Sequence, residues 1–233
     1  MTARQLADAT SPGVPSLPTV LVPVGSIEQH GPHLPLDTDT VIATAVASAA
    51  ARALADAGYE ALVAPALSYG SSGEHQDFAG TSSIGTRVLH DVVVELTRSV
   101  STWAGRVVFV NGHGGNLAAL RAAVEQLMGE GHAVSWVACA TEPASNSGVD
   151  LHAGRTETSL MLHLAPWNVR LVRAEAGNTA PLAELMPLMQ RGGVKAVAPN
   201  GVLGDPAGAT AAEGMQTLAA MAGDVVRHVK DLP

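Results

Sequence analysis

One cysteine, Cys139, stands among 233 residues, so no internal disulfide can staple this fold. It lies in VSWVACA, an apolar run in which a small buried residue is the ordinary reading and a reactive thiol is not. Aromatics are also scarce: two Phe, two Tyr and three Trp leave few platforms for stacking nucleic-acid bases. Thirteen Lys and Arg face 21 Asp and Glu, a net charge of −8 with no basic stripe, which excludes a nucleic-acid partner. No uninterrupted apolar run reaches membrane-spanning length, so no membrane partner is expected. The opening MTARQLADATSPGVPSLP has no apolar core of a signal peptide; residues 1–18 read as a polar, proline-broken lead-in. These absences point to a cytoplasmic protein.

What is present is 47% hydrophobic and 15% charged, too apolar for a disordered chain. The length suits a single domain over residues 19–233. Strand-like TVLVPVG (19–25), EALVAPALSYG (60–70), RVVFVNG (106–112) and HAVSWVACA (132–140) alternate with helical stretches. Those stretches are 39–58, 86–105 and about 117–128, with a last helix near 211–229 and ordered loops over 174–210. The rhythm predicts an α/β fold, a three-layer α/β/α domain with a mostly parallel sheet. Such sheets bind ligands at the carboxyl ends of their strands. Two polar clusters, EQHGPHLPLDTD and NGHGGN, follow strands at that edge.

The first cluster gathers Glu28, His30, His33, Asp37 and Asp39 within twelve residues. In extended backbone the side chains of Glu28 and His30 point the same way, roughly 6.5–7 Å apart. Asp39 returns after a Pro-rich excursion, His113 emerges from the third strand, and Glu157 lies near the start of a helix in HAGRTETSLMLHL. Each has a plain alternative: Asp39 a helix cap, Glu157 a carboxylate complementing a helix dipole, His113 a turn residue, Glu28 and His30 a solvated loop. Their convergence on one sheet edge favours a metal site. Three carboxylates and two imidazoles suit Zn, Fe(II) or Mn, and suit two ions about 3.5–4 Å apart with one carboxylate shared. His90, His132, His163 and His228 read as structural. Gly114 and Gly115 leave an open approach to the site, and Asn116 either bonds a peptide group or holds the turn.

VPVGSIEQHGPHLPLDTD, FVNGHGGN and HAGRTETS resemble, in order, three signature blocks of the creatininase family of metal-dependent amidohydrolases. The resemblance runs from about Val20 onward. It implies that Glu28, His30, Asp39, His113 and Glu157 hold two divalent ions per chain. Asp39 would be shared, with Glu28 and His113 on one ion and His30 and Glu157 on the other. It implies His152 as proton donor to the leaving nitrogen, and a homo-oligomer of six or more chains. Creatininases carry Tyr-Glu where this chain has Gly114 and Gly115, and tryptophans around creatinine where 140–170 shows only Trp167. These departures point away from creatinine. GEHQDFAGTSSIG, AGNTAPLAELMPLMQRGGV and NGVLGDPAGATAAEG resemble a narrower branch, the creatininase-like peptidases of mycofactocin maturation, which usually show Pro where Ala79 stands. That branch implies a modified ribosomal precursor peptide as substrate, cleaved before its C-terminal Val-Tyr-derived unit, with His75, Gly114, Gly115 and Asn116 on the substrate side. Other family members imply an alternative, hydrolysis of a small cyclic amide or formamide. A metal-stabilised scaffold without turnover is the reading from another class.

Overall fold

Pro23 sits one residue from the end of a central strand, and its missing N–H shapes the sheet around it. In a computed structural model describing residues 3–140 and 150–231, β1 (Thr19–Val24) pairs on one side with β2 (Ala61–Val63). On the other side lies β3 (Arg106–Asn111), followed by β4 (Val134–Ala138). The order is β2-β1-β3-β4 and all three pairings are parallel. The Pro23 carbonyl accepts from Leu67 N on the β2 side, so that is the side its nitrogen cannot serve. Pro65 adds a second interruption, and β2 stops at Val63, well short of the 60–70 expected, leaving a single bridge from Val24 to Leu67. The lead-in adds one more bridge, Gln5 to Val63, at the outer edge.

Helices cover both faces. α1 (Thr38–Asp56), α4 (Arg155–Leu164) and α6 (Ala211–Asp231) pack on Leu21, Val63, Val108 and Val110. α2 (Gly85–Val100) and α3 (Leu117–Gly129) pack on the alternate residues Val20, Val22, Val24, Val107 and Phe109. Strands buried on both faces explain the unbroken apolar runs in the sequence. Each fully buried Val, Leu or Phe contributes about 1.5–3 kcal/mol by leaving water.

The stretch 174–210, expected to be loops, contains α5 (Leu182–Gly192) with Pro187 inside it. Proline costs that helix a hydrogen bond, but Leu185 and Met189 pack on Val194, Val197 and Leu203 in a small core of their own. Residues 141–149, part of the stretch 140–170 whose one tryptophan is Trp167, lie outside the described residues.

β2 and β3 lie on opposite sides of β1, so the chain reverses its winding between β1 and β3, and a crevice opens at their carboxyl ends. Gly25 closes one wall of it: a Cβ there would collide with the backbone of Thr40 in the first turn of α1. The absence of that Cβ lets Asp39 reach the crevice.

Candidate metal centre

The segment after β1 carries Glu28 and His30, both with no exposed surface. His30 Nδ1 donates to the Glu28 carbonyl at 3.1 Å. Its Nε2 turns to Asp39 Oδ1 at 3.1 Å, with Glu157 Oε2 at 3.9 Å. His113, leaving β3, donates from Nε2 to the Ser71 carbonyl at 3.1 Å, and the same nitrogen lies 3.1 Å from Glu28 Oε2 and 3.3 Å from Glu74 Oε1. Its Nδ1 lies 3.4 Å from Asp39 Oδ2. Asp39 thus stands between two imidazoles, one oxygen toward each. Glu157, in the first turn of α4, accepts from Ala153 N at 2.6 Å through Oε2.

His152 lies against the same cluster, its main chain paired with Leu203. Its ring stacks between those of His30 and His75, centroids 4.3 and 4.4 Å away. Nε2 donates to the Gln29 carbonyl at 2.7 Å, and Nδ1 lies 3.8 Å from Glu28 Oε1. His75 Nε2 approaches the same oxygen at 3.3 Å.

The charges respond to this crowding. Burial would raise the Glu28 carboxyl, but the nearby charge of His113, with His75 and His30 behind, holds it well below the usual carboxylate range. Burial would likewise lower His30, yet Asp39, Glu157 and Glu28 lift it to about 10. His113 rises well above its ordinary value against burial, through Glu28, Glu74 and Asp39. Glu157 rises to about 7 through burial and the repulsion of Asp39, against the attraction of His30. His152 falls well below the ordinary histidine value, because of burial and then His30 and His75.

The cluster fits divalent ions on its own geometry. Among the described residues, Glu28 Oε1, Glu28 Oε2 and Asp39 Oδ2 are buried carboxylate oxygens with no hydrogen-bond partner. A bare buried carboxylate oxygen is costly unless a cation meets it. Three overlapping donor sets have ligand atoms within 4.8 Å of one another: Glu28-His30-Asp39, His30-His152-Glu157 and Glu28-His75-His152. Carboxylate oxygens with imidazole nitrogens are the donors that Zn, Mn and Fe(II) take.

All five residues expected as ligands, with His152 and His75, meet in this crevice. Of the remaining expectations, Gly114 faces open space, but Gly115 does not: a Cβ there would collide with the Ser71 carbonyl, Glu74 and His113. Asn116 is fully buried; its amide donates to Gly25 O (3.0 Å) and Asn111 Oδ1 (3.1 Å), and its Oδ1 accepts from Ser71 N (2.8 Å). That side chain holds the turns together. His33 bonds Thr158 at 2.9 Å rather than joining the cluster. His90, His132 and His228 lie elsewhere, beside Asp91, Glu130 and Ser135. Burial, with Asp39 adding to it, pushes the Cys139 thiol up to about 12, which leaves it inert. Sequence reasoning missed Gln29 and Glu74, although each adjoins a histidine it had singled out.

A family model described as creatinine amidohydrolase, of the family Creatininase, matches residues 1–229. A Mycobacterium tuberculosis protein named mycofactocin precursor peptide peptidase is 57% identical over 231 residues, covering 97% of this chain and 90% of that one. Its namesake in Mycolicibacterium smegmatis is 54% identical over 215 residues, covering 92% and 85%. Among solved structures, the manganese form of creatininase superposes with a TM-score of 0.78 at 24% identity, covering 99% of each chain, and shows the shared fold.

Proposed function

The chain belongs to the creatininase family, hydrolases of C–N bonds, and on that premise we propose that it is a metal-dependent peptidase acting on a modified mycofactocin precursor peptide. The similarity to peptidases of that name over nearly the whole chain carries the substrate reading. The position of Asp39, one oxygen toward His30 and one toward His113, carries the reading of a two-ion centre. Glu28, His113 and Asp39 would hold one divalent ion, and His30, Glu157 and Asp39 the other. When bound, such ions polarise an amide carbonyl and bring the pKa of water down toward about 7.

The chain's own residues then manage a proton. The Gln29 carbonyl can only accept, so His152 keeps its proton on Nε2 and presents a bare Nδ1 to the cluster. Burial between two other histidines favours the neutral ring. Nδ1 takes the proton of water as the new O–C bond forms, and delivers it to the amide nitrogen as the C–N bond breaks. The products are a carboxylate and an amine. His152 thus acts as base before it acts as acid. Gly114 leaves room beside the cluster for an extended chain.

The cut falls before the C-terminal Val-Tyr-derived unit and frees it from the shortened peptide. The protein works in the cytoplasm as a homo-oligomer. Exposed Trp167, Leu171 and Val172 support subunit contact. The test offers metal-loaded protein the modified precursor, the unmodified precursor and creatinine in parallel, with products followed by mass spectrometry. Release of the terminal unit from the modified precursor is expected. Fast creatinine hydrolysis with both peptides intact would return the protein to the small-amide branch.

A further inference from the structure

Gln29 is almost fully buried, and every polar atom of its side chain is engaged. Oε1 accepts from Gly31 N at 2.9 Å, which fixes which way round the amide lies. Nε2 then has two hydrogens and three neighbours: His75 Nδ1 at 2.8 Å, His152 Nε2 at 3.0 Å and the Gly201 carbonyl at 3.0 Å. His152 Nε2 already carries a proton for the Gln29 carbonyl and cannot accept another. The two amide hydrogens therefore go to Gly201 O and His75 Nδ1. A neutral His75 that accepts at Nδ1 must carry its proton on Nε2, the atom 3.3 Å from Glu28 Oε1. Gly201 is part of the device: its φ is +81°, and a Cβ there would collide with the Gln29 amide.

We propose that Gln29 is a positioning residue that sets two histidines to opposite tasks, His75 turning an N–H toward the cluster and His152 turning a bare Nδ1. Both rings hold the same tautomer, but the main-chain carbonyl and the side-chain amide of one residue present opposite ends of it. His75 is then a donor for a substrate oxygen or for the charge that grows on it, and not a metal ligand, although its Nε2 lies among ligand atoms. A rigid donor beside the site of charge development is an effective way to stabilise a transition state. The inference rests on the peptidase reading for its purpose, but not for its geometry.

The test is a long-range 1H–15N spectrum of histidine-labelled, zinc-loaded protein, with His75 and His152 assigned by His→Gln variants. Both residues are expected to show a pyridine-like Nδ1 and a pyrrole-like Nε2. In Gln29→Glu a carboxylate that can only accept replaces the amide. His75 Nδ1 should become pyrrole-like, His152 should keep its tautomer, and kcat should fall ~10–100-fold as for other outer-shell partners. A pyrrole-like Nδ1 or a zinc-bound Nε2 on wild-type His75 would overturn the proposal, and so would an unchanged His75 in Gln29→Glu. The wild-type spectrum decides even where the variant does not fold. Correct tautomers in a protein that cleaves no peptide would leave this inference standing and sink only the functional reading.

Discussion

Asp39 Oδ2 lies 3.4 Å from His113 Nδ1, buried and without a hydrogen bond, while the other oxygen of the same carboxylate is engaged by His30. One side chain thus reaches both halves of the cluster. Asp39→Ala should lose both divalent ions, because each half loses a donor and the two cations would face each other unscreened. Glu157→Ala, which touches one half, should lose one. Metal content after gel filtration reads the difference, and two tightly held ions in Asp39→Ala would refute the sharing.

His152 contributes a proton path more than a ligand. His152→Ala should keep its metal and its fold and lose ~10²–10⁴-fold in kcat, the usual contribution of a positioned acid–base group. Steady-state kinetics beside metal analysis checks this. A variant hydrolysing at near wild-type rate would place the proton transfer on another residue.

Metal binding should expel protons. His30 titrates near 10 in the metal-free cluster and His113 well above its ordinary value, so both are imidazolium at neutral pH. A raised folded-state value means that protonation stabilises the metal-free fold fully below about 6.5, and that this contribution fades as pH climbs through about 10. Metal competes with those protons. Affinity should therefore drop as pH falls, and the gain in Tm on adding zinc should grow from about pH 6 to about pH 9. Calorimetry in buffers of different ionisation heat should find on the order of one proton released per ion. Uptake with no proton release would contradict the ligand assignment of the two histidines.

Asn116 should matter for stability and not for substrate. Asn116→Ala removes three buried hydrogen bonds and orphans Ser71 N and the Gly25 carbonyl, at a cost of about 2–4 kcal/mol. Denaturant unfolding should show the loss, while KM of the folded enzyme stays within about twofold. A large KM change at unaltered stability would restore the substrate role.

The alternation of apolar runs and helical stretches in the sequence determined the α/β class and located the strand ends where polar residues collect. That Glu28, His30, Asp39, His113 and Glu157 would meet was legible because carboxylates and imidazoles drawn to one edge of the sheet have few purposes in so apolar a chain. Element ends were less legible: β2 stops at Val63 because Pro23 offers no N–H on that side, and pairing depends on which neighbour a strand finds. α5 was hidden by Pro187, whose local cost is overridden by Leu185 packing on the segment that follows the helix. Only the tertiary structure decided the direction of each side chain. It brought Asp39 between two histidines from different strand ends, turned Asn116 inward, closed the space at Gly115, and set Gln29 against Gly201, 172 residues away. A sequence lists donors and acceptors, but which nitrogen holds a proton depends on the atom facing it, and folding alone chooses that atom.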